Sequence, residues 1–112
     1  MHYVFDIDGT ICSHASSKTT YKEAKPIKSR INYINQLFDQ GHRIIYHTAR
    51  GMRTFKNDGK KAHDEYYWLT YNQLDAWGVK FHKLIMGKPS GDIYVDDKGM
   101  MDTNFFSQYK EQ

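Results

Sequence analysis

The sequence has one cysteine, Cys12, and no long apolar run. A single cysteine cannot form an internal disulfide and fits a reducing compartment. No run approaches the ~18 consecutive apolar residues of a membrane-spanning helix, so we expect no membrane partner. The first eight residues include two aspartates where a signal peptide carries its apolar stretch, which favours a cytoplasmic location. Since no repeat, linker or low-complexity segment divides the chain, we expect a single domain over residues 1–112.

The composition is that of an ordinary small globular domain. Apolar residues make up 39% and charged residues 26% of the chain, and nine Tyr, six Phe and two Trp supply bulk for a core. The net charge of +3 is too small to predict binding to long nucleic acid. Its distribution is uneven, because residues 18–30 and residues 50–61 each carry five basic side chains against one acidic one.

Hydrophobic periodicity predicts alternating strands and helices. Helices are expected between Pro26 and Gly41, over residues 63–77, and as a last short helix over residues 102–109. The segments 12–25 and 51–62 are expected to be loops. Strands are expected at residues 2–7, 42–47, 81–86 and 92–95. This order is typical of a parallel α/β sheet, which places its ligand sites at the carboxyl ends of the strands.

Two aspartates, Asp6 and Asp8, lie at the end of the first predicted strand. Residues i and i+2 of a strand share a face, so both carboxylates can point into one site. Two like charges held close together are costly unless a cation or a reacting group compensates for them. Gly9 then allows a sharp turn. A solvated Asp-Gly turn is the structural alternative, and the motifs further along the chain weigh against it.

The second predicted strand leads into Thr48, Ala49 and Arg50. A threonine hydroxyl beside the N–H of a turn is a common oxyanion holder, and arginine binds phosphate through two parallel hydrogen bonds. Strand-terminal threonines are common, so this motif alone is a weak signal.

The last predicted strand is preceded by Lys88 and followed by Asp96 and Asp97. Lys88 is placed to neutralise a carboxylate and a bound phosphate, or it is a surface lysine. Adjacent carboxylates at a strand end suit Mg²⁺, which prefers one or two carboxylates with waters and substrate oxygens.

Taken in order, these motifs resemble the haloacid dehalogenase (HAD) superfamily of aspartate-nucleophile phosphatases. The resemblance covers positions 6–97 through Asp6-Ile7-Asp8-Gly9-Thr10, Thr48, Lys88 and Asp96-Asp97. More narrowly, the chain looks like small HAD proteins of capsule or sugar-phosphate biosynthesis in three segments: Tyr21-x-x-Ala24-x-Pro26, Gln73-Leu74-x-x-Trp77-Gly78, and Gly87-Lys88-Pro89 with Asp96-Asp97-Lys98. The resemblance implies a three-layer Rossmann-like α/β fold with a small parallel sheet.

Many HAD enzymes carry a cap domain, and this chain has no room for one. The interval between residues 11 and 26 is the length of a loop, and a helix and a strand occupy most of the interval between residues 50 and 88. We therefore expect a single capless domain. Capless members accept large substrates at an open site or take a lid from a neighbouring subunit of a homo-oligomer, and both arrangements stay open.

The resemblance also implies a role for each motif residue. Asp6 is expected to attack phosphorus and form an aspartyl-phosphate. Asp8 is expected to protonate the leaving oxygen and then to activate water. The other implied roles are binding of the phosphoryl oxygens by Thr48, Ala49 and Lys88, and binding of Mg²⁺. The implied metal ligands are the carboxylate of Asp6, the main-chain carbonyl of Asp8 and the carboxylate of Asp96. Asp97 is expected to support the metal site or to orient Lys88, and which of Asp96 and Asp97 binds the metal directly stays open.

The two basic stretches follow the first and second predicted strands, on the side of the sheet where the carboxylates lie. We expect them to form a positive substrate rim, with Arg50 and Arg53 nearest to the site, that steers a phosphorylated substrate. The alternative is that these lysines and arginines are solvated and only aid solubility.

The expected function is Mg²⁺-dependent hydrolysis of a phosphate monoester, with a sugar phosphate or a related metabolite as the leading substrate. Two alternatives stay open: a larger phosphorylated substrate, such as a protein or a nucleic-acid end, and a non-catalytic HAD-like binding or regulatory module. A signalling receiver domain is disfavoured, because it carries its acidic pair after the first strand and its acceptor aspartate in mid-chain.

Two further groups of residues are assigned mainly structural roles. In the aromatic cluster of Tyr66, Tyr67, Trp68 and Tyr71, Tyr66 is expected to pack in the core together with Trp77, and the others are expected to be partly exposed. Stacking on a sugar or base, or a subunit interface, are the alternatives. Cys12 is expected to be inert, since the proposed chemistry needs no thiolate.

Overall fold

The computed structural model describes residues 1–108 as an α/β fold built on a three-stranded parallel sheet. The strands are β1 (His2–Phe5), β2 (Arg43–Thr48) and β3 (Lys83–Met86), in the spatial order β1-β2-β3. The helices are α1 (Lys18–Glu23), α2 (Lys28–Asp39), α3 (Gly59–Ala76) and α4 (Asp102–Ser107). The predicted α/β class and parallel sheet are therefore confirmed.

The three strands end at the same edge of the sheet. Phe5 pairs with Tyr46, and Thr48 pairs with Met86. The segments that follow the strands therefore leave the sheet side by side, as expected for a parallel sheet. This register brings the motif after β1 next to the motifs after β2 and β3.

The hydrophobic core lies on one face of the sheet. Phe5 and Tyr46 on that face form one cluster with Ile34 of α2 and Leu74 of α3. Both crossover helices therefore pack on the same face, as right-handed connections between strands in this order require.

The opposite face of the sheet is open. It carries Val4, which is 62% exposed, and Ile45 and Ile85, which are only partly buried. The contacts of α4 are also with the first face, because Phe105 packs on the rings of Tyr3 and Phe5. Within residues 1–108 we therefore see two layers, and the third layer that the resemblance implies is not formed.

Two helices begin where the sequence carries capping residues. The predicted loop over residues 12–25 contains α1, whose N-cap Ser17 exchanges hydrogen bonds with Thr20 in a capping box. The long helix α3 starts at Gly59, four residues before its predicted start, because the side chain of Asp58 accepts hydrogen bonds from the main-chain N–H groups of Lys60 and Lys61.

The predicted fourth strand at residues 92–95 is not formed, which corrects the sequence interpretation. Val95 in this segment is 94% exposed. Tyr94 folds back on the preceding turn: its hydroxyl donates to the carbonyl of Pro89 and accepts from the N–H of Gly91, and its ring lies 4.6 Å from Lys88 Nζ. The segment is therefore held by its own turn and does not extend along the sheet.

The remaining predicted elements match the fold closely. The helix after Pro26, the strands at 42–47 and 81–86, and the short C-terminal helix are all present with shifts of one or two residues at most ends. Position 109, the predicted end of the last helix, lies outside the described residues. Within residues 1–108, none of the helices has the length and apolar character needed to cross a membrane.

Candidate active site

Asp6 follows β1 directly and faces the turn after β3. Its side chain is 38% exposed, and its Oδ1 lies 3.8 Å from Lys88 Nζ. Lys88 is held there by its main-chain N–H, which donates to the carbonyl of Thr48 at the end of β2. Burial raises the pKa of Asp6 above its usual value, although the ammonium group of Lys88 acts in the opposite direction. The prediction that Lys88 neutralises a carboxylate at this site agrees with the geometry.

The turn after Asp6 places Asp8 beside the same opening. The carbonyl of Ile7 accepts hydrogen bonds from the N–H groups of Thr10 and Ile11 at 3.0 and 2.9 Å. Gly9 has φ +78°, and a Cβ at this position would lie 2.5 Å from the ring of His14. Only glycine therefore fits both the left-handed conformation and the close contact.

Arg50 forms a bidentate ion pair with Asp8. Nε lies 2.9 Å from Oδ2 and Nη2 lies 2.8 Å from Oδ1, while the exposed fractions of the two side chains are 0% for Arg50 and 15% for Asp8. The sequence predicted Arg50 as a residue of the substrate rim, but the structure buries its side chain against Asp8. A buried guanidinium group needs an anionic partner, and Asp8 supplies it.

Three residues from two helices surround the guanidinium group of Arg50. Nη1 donates to Gln73 Oε1 at 2.7 Å and to Thr70 Oγ1 at 3.3 Å, both on α3. The ring centre of Tyr21 on α1 lies 4.9 Å from the guanidinium carbon. Gln73 also donates from Nε2 to the carbonyl of Tyr21. The partners of Arg50 thus come from sequence positions far from it.

Thr48 is buried at the end of β2 and lines the opening. Its Oγ1 accepts a hydrogen bond of 3.1 Å from the main-chain N–H of Arg50. A threonine hydroxyl carries one proton of its own, so Thr48 can accept from Arg50 and still donate to an oxygen in the cavity. The neighbouring Ala49 also lines this cavity. The role of Thr48 and Ala49 as an oxyanion holder stays a prediction.

Asp6, Asp8, Thr48 and Arg50 line a cavity of about 220 Å³, whereas Lys88 is not among its lining residues. This volume is below the roughly 300–1,000 Å³ of sites for drug-sized ligands, so the cavity suits a small polar group. Arg53 lies at its exposed side, where the sequence predicted a rim residue. The lining residues are Asp6, Asp8, Ala15, Ser16, Tyr21, Thr48, Ala49, Arg50, Arg53 and Ser90.

The sequence analysis missed four of these residues: Ala15, Ser16, Tyr21 and Ser90. A signal for the first three was present in Ser17, because serine is a preferred N-cap residue and favours the start of a helix at this point. Ser90 lies in the Gly-Pro-rich turn after β3, for which the sequence carried no separate signal.

Asp96 and Asp97 do not line the cavity and are exposed. The carboxylate of Asp96 instead accepts from the main-chain N–H of Lys98, a contact that lowers its pKa. Because residues 92–95 do not form a strand, nothing carries this pair to the end of β1. No group of three or more His, Cys, Asp or Glu side chains that could hold a metal ion occurs within residues 1–108.

Several basic residues of the expected rim have partners elsewhere. Lys18 pairs with Glu65 at 3.1 Å, and Lys60 pairs with Asp64 at 3.4 Å on the surface of α3. Such exposed pairs contribute little to stability, but they reduce the net positive charge around the cavity. Arg53 is the member of the two basic stretches that both lines the cavity and is exposed.

Of the residues assigned structural roles, Cys12 and Tyr66 are buried, whereas Trp68 and Tyr71 are exposed. Cys12 is buried, and burial raises the pKa of its thiol to about 12, which agrees with an inert thiol. Tyr66 packs edge-on against Tyr21 at 5.2 Å, as expected for core packing, whereas Trp68 is exposed. The pKa of His47 is lowered by burial and by the charge of Lys88, which favours the neutral imidazole.

Comparison with known proteins supports the fold. No protein-family model matches the sequence, and no curated protein matches it. The crystal structure of a target protein from Vibrio cholerae is similar, with a TM-score of 0.84, 26% sequence identity, and coverage of 95% of this chain and 87% of that one. The similarity therefore extends over nearly the whole α/β fold.

Proposed function

We propose that the chain is a capless HAD-type phosphatase that hydrolyses a phosphate monoester, with Asp6 as the nucleophile. One observation carries the proposal: the partly exposed carboxylate of Asp6 lines a small polar cavity and lies 3.8 Å from the ammonium group of Lys88. A carboxylate nucleophile needs a free lone pair, and the phosphate that it attacks needs a nearby cation. Asp6 and Lys88 provide both.

In the first step, a carboxylate oxygen of Asp6 forms a bond to phosphorus as the bond between phosphorus and the ester oxygen breaks. Asp8 enters this step in its protonated form; the leaving oxygen takes that proton and departs as an alcohol, and Asp8 becomes a carboxylate. In the second step, a water molecule attacks the phosphorus of the aspartyl-phosphate and gives one proton back to Asp8. The bond between phosphorus and Asp6 breaks, and inorganic phosphate is released.

The charge that spreads over the phosphoryl oxygens has two candidate partners. Lys88 supplies a cation, and the hydroxyl of Thr48 supplies a donor. The main-chain N–H groups of Arg50 and Gly51 already donate to Thr48 Oγ1 and to the hydroxyl of Tyr21. Groups that are held in place before the reaction stabilise such charge without reorganisation. Arg53, at the exposed side of the cavity, is placed to attract an anionic substrate.

The predicted magnesium site does not fit the present arrangement of carboxylates. Asp6 lines the cavity, but the carboxylates of Asp96 and Asp97, which were to complete the site, lie outside it and are exposed. We therefore derive no step through the metal. The requirement for Mg²⁺ stays a prediction from the sequence pattern, and the assay of activity tests it directly.

The proposed substrate is a small phosphorylated metabolite, with a sugar phosphate as the first candidate. A cavity of about 220 Å³ holds a phosphoryl group and leaves the rest of the substrate at the opening. The sequence resemblance to proteins of sugar-phosphate biosynthesis favours the same class. A cytoplasmic location belongs to this proposal, since phosphorylated sugars are made there.

The test is release of inorganic phosphate from a panel of phosphorylated sugars, nucleotides and small acids. We expect activity with Mg²⁺ and its loss on chelation. Asp6→Asn removes the attacking oxygen charge and is expected to lower kcat on the order of 10³-fold or more. Asp64→Asn makes the same chemical change at an exposed position of α3 and is the matched control. Release from none of the substrates, or full activity of Asp6→Asn, would overturn the proposal.

A further inference from the structure

We propose that Arg50 is a positioning residue that fixes the carboxylate of Asp8 for proton transfer. This inference rests on the proposed phosphatase function and goes beyond it, because the sequence pattern assigned Arg50 to the substrate. The inference is based on the bidentate ion pair, in which Nε and Nη2 of Arg50 lie 2.9 and 2.8 Å from the two carboxylate oxygens of Asp8.

The pair fixes the orientation of Asp8 as well as its position. A planar guanidinium group matches a carboxylate through two parallel hydrogen bonds, so rotation about the Asp8 side-chain bonds breaks at least one of them. The thiol of Cys12 adds a weaker contact, 3.5 Å from Oδ1. Asp8 therefore keeps one orientation while it lines the cavity.

Arg50 is itself held through both its main chain and its guanidinium group. Its main-chain N–H donates to Thr48 Oγ1, and its Nη1 donates to Gln73 and Thr70 of α3. The amide of Gln73 is fixed in turn, because its nitrogen donates to the carbonyl of Tyr21. The guanidinium group is thus tied to β2, α1 and α3, which are the rigid elements around the cavity.

The same contacts explain why Arg50 does not act as a mobile phosphate ligand. Nε and both Nη atoms are already engaged with protein groups, and the side chain has no exposed surface. A guanidinium group that turned toward substrate would leave Asp8 as a desolvated charge without its partner, which is strongly unfavourable. The geometry assigns Arg50 to Asp8.

A positioning role predicts a dependence on the leaving group. An alkyl alkoxide needs a proton as it departs, so its loss depends on a correctly placed Asp8, whereas a nitrophenolate departs without one. A misplacement of a catalytic group by about 1 Å can cost on the order of 10²-fold. Disturbing Arg50 should therefore slow alkyl esters far more than nitrophenyl esters.

The experiment compares kcat/KM of the full chain for 4-nitrophenyl phosphate and for an alkyl phosphate, since kcat/KM reports the step in which the leaving group departs. For Arg50→Lys, which keeps the charge and loses the fork, we expect a fall on the order of 10²-fold with the alkyl ester and of less than about fivefold with the nitrophenyl ester. KM should change little. Arg43→Lys makes the same exchange at the exposed start of β2 and should change neither value.

Two additional measurements keep the test decisive. In the Asp8→Asn background, Arg50→Lys should not change the ratio of the two kcat/KM values further, because its effect passes through Asp8. If Arg50→Lys does not fold, Gln73→Leu removes one brace of Arg50 and should shift the ratio in the same direction by a smaller factor. Equal losses with both esters, or a further change of the ratio in the Asp8→Asn background, would overturn the inference. A wild-type chain without phosphatase activity would instead overturn the proposed function.

Discussion

Substitutions of Asp8 and Arg50 should have strongly non-additive effects on the free energy of unfolding, because the two side chains form a buried ion pair. We consider Asp8→Asn, Arg50→Met and the double variant as a thermodynamic cycle. Arg50→Met keeps most of the length of the side chain and removes the guanidinium group, which leaves the carboxylate of Asp8 and the oxygens of Thr70 and Gln73 without that donor. Asp8→Asn leaves a buried guanidinium group without its counter-charge.

The magnitude follows from the burial of the pair. The side chain of Arg50 is fully buried and that of Asp8 nearly so. Removing one partner of a buried ion pair costs about 3–5 kcal/mol, because the other charge stays desolvated. A domain of this size has a free energy of unfolding of roughly 5–15 kcal/mol, so each single variant loses a large share of it. The double variant removes both charges and should be less destabilised than the sum of the single variants by about 2 kcal/mol or more.

The assay is urea denaturation of the four proteins at pH 7, with the free energy of unfolding extrapolated to water. The matched control is the exposed pair of Lys18 and Glu65, whose side chains are 3.1 Å apart. Its coupling in the same kind of cycle should stay below about 1 kcal/mol. The argument from burial is refuted if the loss of unfolding free energy in the double variant equals the sum of the two single losses within about 0.5 kcal/mol. It is also refuted if the control pair is coupled as strongly.

Two other predictions concern buried polar groups of the core. The hydroxyl of Tyr46 is buried and has no hydrogen-bond partner within the part of the chain that the structure describes. Tyr46→Phe should therefore leave the free energy of unfolding, measured in urea titrations, unchanged or raise it by about 1 kcal/mol. A decrease of more than about 1 kcal/mol would contradict this. Burial raises the pKa of Cys12 from 9.0 to about 12, so the thiolate is scarce in the folded state below pH 12. Alkylation at pH 9 should be at least about 100-fold slower in the folded than in the urea-unfolded protein, and equal rates would contradict it.

Local patterns predicted the frame of the fold well. The helix α2 follows from the spacing of Ile27, Ile31 and Ile34 after Pro26, and β2 follows from a short apolar run. Such patterns are reliable because burial of one face decides both the type and the position of these elements. The approach of Lys88 to Asp6 followed as well, because parallel strands end at one edge of the sheet.

The environment of Arg50 was not accessible from local patterns. Its partners Thr70 and Gln73 lie twenty or more positions away on a helix, and the sequence around Arg50 resembles an ordinary polar loop. Whether an arginine is solvated or buried depends on the charges that the fold brings to it. The sequence shows that Asp8 and Arg50 are charged, but it does not show that the fold brings them into contact.

The segment 92–95 shows how a strand pattern can be misleading. The run of Ile93, Tyr94 and Val95 has high strand propensity. Propensity in such a run depends on a neighbouring strand to pair with, and here Tyr94 bonds to the turn that precedes it. Because the segment folds back on this turn, Asp96 is not at a strand end as predicted, and its carboxylate accepts from the N–H of Lys98.

The two aspartates after β1 are neutralised by different cations, and this difference fits the division of roles that we propose. Asp6 faces Lys88, a flexible point charge at 3.8 Å, and stays 38% exposed. Asp8 is held by the rigid fork of Arg50 and is mostly buried. A nucleophile must keep a lone pair free and approach phosphorus, whereas a group that transfers protons to and from an oxygen must keep its direction. The repulsion between the two neighbouring carboxylates is thus compensated by two cations, Lys88 near Asp6 and Arg50 on Asp8. Lys88 leaves Asp6 free to react, and Arg50 fixes the orientation of Asp8.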